Sequence, residues 1–206
     1  MNASLPYGTD PPPVNFLYPR IARHHLVLML KLTLGGAFLA GLYGTAHDQI
    51  TYTLGPEYFT RLKFHQFAWA NLGLPPRLYA AEIGFLATWW VGAIATWALA
   101  RLAVPAWPAR EATRRVRKGV AVIFVFALVS GITGFLLGQA RKSNPDFSNW
   151  DAYLLPLRIQ SPENFVLVAY IHNASYLGGF VGLIVAWIWL AWQRRVTKKN
   201  RGIEPS

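Results

Sequence analysis

"LVLMLKLTLGGAFLAGLYGTAHDQITYT", residues 26–53, is the stretch on which the fold turns. Leu26 to Ala46 carries one charge, Lys31, near its start. A helix rises about 1.5 Å per residue, so roughly 20 such residues cross the ~30 Å of hydrocarbon in a bilayer. His47, Asp48 and Gln49 then end the apolar run, and Ile-Thr-Tyr-Thr alternates like a strand. The change of character predicts a membrane helix that stops near residue 47, followed by a short extended piece over "ITYTL".

Three more segments repeat the signal. Leu78–Val104 keeps Glu82 and Arg101 near its ends, Gly119–Ala140 has no charge, and Phe165–Trp192 has only the ionisable His172. These runs are far too long for barrel strands, and a bilayer admits only helices or closed barrels. The prediction is an all-α membrane protein. It is a single domain, 1–206, forming a four transmembrane helix bundle with helices about 26–47, 78–104, 118–141 and 163–193. The composition agrees, with 53% hydrophobic and 14% charged residues, against about 25% charged in soluble chains.

Lysine and arginine orient the bundle. Fourteen of the 20 fall before residue 32, within 101–118 or after 193, and six fall in 48–77 and 141–162. The positive-inside rule then predicts a multi-pass protein with both termini in the cytoplasm. The first side nets +11 and the other nets zero, because six of the nine acids lie on the latter. The basic residues flank helix ends, as in "ATRRVRKG". The pI near 10.3 is therefore read as topology and contact with the lipid bilayer, not as nucleic-acid binding. The absence of cysteine excludes disulfides, thiolate ligands and a cysteine nucleophile.

Residues 1–19 form a proline-rich arm, and residues 48–77 an outer lid. Within the lid, Pro56 and Glu57 are placed to begin a short interfacial helix. Tyr52, Glu57, Tyr58 and Phe59 are its candidate functional residues. The pattern predicts that Tyr58, Phe59, Leu62, Phe64, Phe67 and Trp69 embed while Arg61, Lys63 and Gln66 stay in water. Small residues recur at four-residue spacing, as in Gly36, Ala40 and Gly44, or Gly84, Thr88 and Gly92, which lets helices approach closely.

His172, Ser175, Tyr176 and Gly179 share one helical face, and His47 continues the Gly36–Gly44 stripe, so both imidazoles are expected to point inward. Glu82 enters near the same boundary. The candidate polar site is His47, Asp48, Gln49, Glu82, His172 and Asn173. His47, Glu82 and His172 would be a ligand set for a divalent metal. The same groups also suit a proton relay or a quinone headgroup, while Glu82 equally fits an interfacial carboxylate and Asp48 a residue that organises a turn. With helix 1 ending at residue 47, the two imidazoles would differ in depth by about 10 Å, which argues against a bis-histidine haem. Phosphate-binding glycine motifs and serine elbows are missing.

"HDQITYTLGPEYFTRLKFHQF" and "IHNASYLGG" resemble a signature of four-helix bacterial membrane proteins of no known activity. The resemblance covers about a quarter of the chain and implies that the outer loop matters, through His47, Asp48, Gln49, Thr51, Tyr52, Pro56, Glu57, Tyr58, Phe59, His172 and Asn173. It supplies no mechanism. Two functions remain: a non-enzymatic accessory or assembly subunit working with other membrane subunits, or a metal-binding, proton-transfer or quinone-site protein built on the histidine–carboxylate cluster. A hydrogen-bonded network joining the end of helix 1, the lid and helix 4 is expected in either case.

Overall fold

The computed structural model describes residues 22–143 and 146–200; the proline-rich arm lies outside the described residues. Four long helices account for most of them: α1 (Arg23–Leu54), α2 (Pro76–Ala103), α3 (Ala109–Lys142) and α4 (Pro162–Asn200). Each contains a stretch long and apolar enough to cross a membrane. No strand occurs among the described residues.

The expected extended piece is instead the last two turns of α1. The β-branched residues do not break the helix, because their hydroxyls return to it: Thr51 Oγ1 donates to His47 O at 3.0 Å and Thr53 Oγ1 to Gln49 O at 3.0 Å. Tertiary contacts complete the override. Tyr52 rests on Phe59, with ring centroids 5.4 Å apart, and the Arg77 guanidinium covers its ring at 5.3 Å. The remaining helices also exceed their apolar runs. α3 begins at Ala109, directly after Pro108, and carries Glu111 in its first turn and Arg141 and Lys142 in its last, as the helix dipole favours.

The helices associate as two tight pairs. α1 and α2 meet at Gly44 and Gly84, where a Cβ on Gly84 would lie 2.3 Å from Gly44 O. Thr88 Oγ1 bridges the same seam to Ala40 O at 2.7 Å. α3 and α4 meet likewise, since a Cβ on Gly134 would lie 2.5 Å from Tyr170 O and one on Gly178 2.5 Å from Phe126 O. These contacts use the small-residue stripes within the chain.

The two pairs are joined at both ends. At one end Met29, Leu99, Val116 and Leu190 pack with Trp107, whose ring lies 4.3 Å beneath the Arg115 guanidinium. Arg115 also binds Glu111 at 2.6 Å and reaches Gln193 on α4. We call this the basic end. At the opposite lid end, Tyr58 and Phe59 pack on Phe165, Val166 and Val168 of α4 and Ala80 of α2. Between the two plugs the pairs stand apart around a cavity of about 450 Å³.

The lid, between α1 and α2, opens with a wide π-helical turn, Tyr58–Lys63, continuing into Phe64–Gln66 and a 3₁₀ turn, Ala68–Ala70. The wider turn overturns the expected division of its side chains. Its i→i+5 repeat brings Lys63 round to the face of Tyr58. Tyr58, Phe59 and Lys63 are all buried, so this lysine is not in water.

Candidate functional site

Because α1 continues to Leu54, His47 sits seven residues, or about 10 Å, inside the helix end. His172 lies ten residues into α4. The two imidazoles therefore stand at the same depth, with centroids 4.7 Å apart and planes at 86°, which corrects the expected 10 Å offset. Edge-to-face contact at this distance leaves no room for a porphyrin between them.

His172 is fully buried. Its ring is enclosed by Tyr58 at 4.8 Å, Phe59 at 6.0 Å and Tyr176 at 5.8 Å, as well as by His47. Nδ1 lies 3.0 Å from Val168 O, one turn back on the same helix. A carbonyl only accepts, so the proton is on Nδ1. Nε2 faces Asp48 Oδ1 at 3.2 Å, and Asp48 is itself only 4% exposed. A bare Nε2 lone pair would repel that carboxylate. The contact is attractive only when a cation, proton or metal, lies between the two.

His47 supplies the third donor. Its Nε2 is buried and has no hydrogen-bond partner among the described residues. One ligand atom from each of His47, Asp48 and His172 lies within 4.8 Å of the others. Bonds of 2.0–2.2 Å to a tetrahedral ion set ligand atoms roughly 3.4 Å apart, so the widest separation, at most 4.8 Å, would have to contract by up to about 1.4 Å to close the site. The Nδ1–carbonyl bond of His172 is the arrangement that orients a metal-ligating imidazole.

Asp48 thus stands where the sequence placed Glu82. Glu82 does not join the cluster, and its Oε2 is buried without a partner among the described residues. The cause is helical phase: Asp48 follows His47 on a helix that extends past both, which turns the carboxylate toward α4. Gln49 and Asn173 also stay apart. Gln49 donates to Arg77 O at 2.9 Å, tying α1 to the start of α2, and Asn173 is exposed.

The lid residues divide by role. Tyr58 and Phe59 cover His172, while Tyr52 packs on Phe59. Glu57 reaches α4 instead, accepting from Gln160 N at 3.1 Å and Ser161 N at 2.8 Å and so closing the entrance to that helix. Together with the Asp48–His172 contact, these bonds form the expected network between α1, the lid and α4. Sequence reasoning missed Lys63, whose Nζ donates to Tyr176 OH at 3.4 Å. Burial pushes the Lys63 ammonium below the usual lysine range, with the Asp48 charge working against it. Burial, and next the Asp48 charge, hold the Tyr58 phenol above its usual range. The signal available for Lys63 was its position five residues from Tyr58, which only a π turn converts into a shared face.

Comparison of the chain with protein-family models, curated proteins and solved structures gives no match.

Proposed function

We propose that this is a multi-pass protein of a bacterial inner membrane that binds one transition-metal ion through His47, Asp48 and His172 at the outer end of its bundle. The observation that carries the reading is the unpartnered Nε2 of His47, buried beside a second imidazole and a carboxylate that themselves require a cation. A shared proton would satisfy Asp48 and His172 alone. A third donor turned to the same point suits a metal ion, and two nitrogens with one oxygen favour zinc, copper or iron(II). Three protein ligands leave a coordination position open, the pattern of catalytic and carrier sites.

The lid end is taken as the outer one because the opposite end gathers the basic residues. An accessory-subunit role rests on the small-residue faces and the many tryptophans as packing surfaces; Gly44, Gly84, Gly134 and Gly178 are occupied by contacts inside the chain, while Trp69, Trp90 and Trp192 stay exposed.

The test is titration of detergent-purified, chelator-stripped protein with Zn²⁺ or Co²⁺. The expected result is about one ion per chain. His47→Ala, Asp48→Ala and His172→Ala should each weaken binding at least about 100-fold, and Glu82→Gln should leave it unchanged. Equal binding by wild type and His47→Ala would refute the assignment.

A further inference from the structure

The cavity beneath the His47–Asp48–His172 cluster has its own construction. All four helices line it, and at about 450 Å³ it falls within the ~300–1,000 Å³ typical of small-ligand sites. Its wall is chiefly glycine, alanine, valine and aromatic rings, and it contains no lysine or arginine. Its polar side chains are His47, Asp48 and Ser175 toward the lid end, the last buried beside Tyr43, with Thr88 and Thr96 further along the wall.

The two sides between the helix pairs differ. Toward α1 and α3 the cavity is closed by Tyr43 against Phe124, with centroids 5.4 Å apart. The lining residues on those two helices are buried or half-buried. Toward α2 and α4 the lining includes Trp90, Val91, Tyr176 and Phe180, at 50%, 48%, 49% and 62% exposure. These are residues of the apolar, membrane-length parts of their helices. The opening therefore faces hydrocarbon, and a ligand would enter from the bilayer.

We infer that the cavity binds a lipid-soluble quinone, a flat ring bearing carbonyl oxygens on an alkyl or isoprenoid tail, which enters between α2 and α4 and turns its head toward Ser175 and His47. The shape and chemistry select this class. Aromatic walls on both sides suit a planar ring. A ring carbonyl can accept a hydrogen bond from the Ser175 hydroxyl. The tail can remain in the gap at Val91 and Phe180. A phospholipid head would require cations that the wall does not provide. The inference stands on the cavity and goes beyond the metal reading, which it does not require.

Gly179 provides the test. A Cβ there would meet one described atom, Ala127 Cβ at 3.9 Å, so a larger side chain extends into the cavity without displacing the helices. Gly35 is the matched control: a Cβ there meets no described atom within 4 Å, and Gly35 is not part of the cavity wall. Thermal unfolding is measured in mild detergent with increasing decylubiquinone, and with decanol at the same concentrations. Wild type and Gly35→Leu should show a saturable rise in midpoint of roughly 2–4 °C. Gly179→Leu should show none, and Ala87→Leu, which fills the cavity from α2, serves if that variant does not fold. No shift in wild type, an equal shift in the filled variant, or an equal shift with decanol would each overturn the inference. Repeating the series after EDTA separates the two readings: a shift that survives chelation supports the quinone site alone, and one lost with EDTA and restored by Zn²⁺ supports a ligand seated against the ion.

Discussion

His172 holds Val168 O through Nδ1 and Asp48 through Nε2. Replacing it with alanine removes the Asp48 partner and the ring on which Tyr58 and Phe59 lie. The cost should be about 3–5 kcal/mol, since an uncompensated buried carboxylate remains. Limited proteolysis at the exposed Arg61 is the readout, and His172→Ala should be cut much faster than a Trp189→Ala control. Lys63 makes a pH prediction with a definite sign. Its folded-state pKa is lowered, so between that value and the usual ~10.4 the unfolded chain holds more protons, and stability rises with pH. As pH is raised toward the usual ~10.4, the thermal midpoint of wild type should rise relative to that of Lys63→Met. A flat difference would mean that Lys63 is as solvated folded as unfolded. Of this site, the inward direction of the two histidines was legible from the stripe that each continues. The partner of His172 was not, because a helix ending at residue 47 leaves Asp48 in the loop, and only the continuation of α1 to Leu54 holds its carboxylate against α4.

At the level of single elements, the boundary of α1 decides most of the rest. The apolar run was visible, but its last two turns are Thr- and Tyr-rich and become helical through side-chain bonds to the preceding turn and through packing on the lid. Neither is a local propensity. The glycine stripes, by contrast, were fully legible, and their seams are the places where a methyl group cannot be added. Gly84→Val drives a side chain into Gly44 O and should destabilise the protein by about 1–3 kcal/mol, measured as a lower thermal midpoint in detergent. Gly35→Val should have little effect. The lid acts on α4 through Glu57, whose carboxylate accepts the backbone N–H groups of Gln160 and Ser161. Such end-of-helix bonds contribute on the order of 1 kcal/mol. Glu57→Gln should accordingly increase cleavage after Arg158, a position held at φ 50°, while leaving Arg61 cleavage less affected.

Over the whole molecule, the count and approximate placement of the four helices follow from hydropathy alone, because length and composition suffice to identify a span. The division into two close pairs with a chamber between them does not follow, since every helix carries the same kind of stripe and the sequence does not say which stripes meet. Orientation rests on charge and has a direct test. Single cysteines at Asn71 and Ser143 should react with an impermeant thiol reagent in intact cells, and one at Thr113 should react only after lysis. Reaction of the Thr113 cysteine from outside would invert the bundle and place the metal site toward the cytoplasm.

The pairing of α1 with α2 and of α3 with α4 also bears on how the chain is made. Each pair is contiguous in sequence, and its closest seams, Gly44 on Gly84 and Gly134 on Tyr170, are internal to it. A ribosome would therefore deliver one finished hairpin to the membrane before the second begins to emerge. The short turn at residues 104–108 would be a seam of assembly, not of folding. Synthesised as two polypeptides, 1–106 and 107–206, the halves should insert independently and find each other, with the plugs at the two ends as their adhesive. Recovery of both on a tag carried by either half would show that this protein is a dimer of hairpins written as one chain.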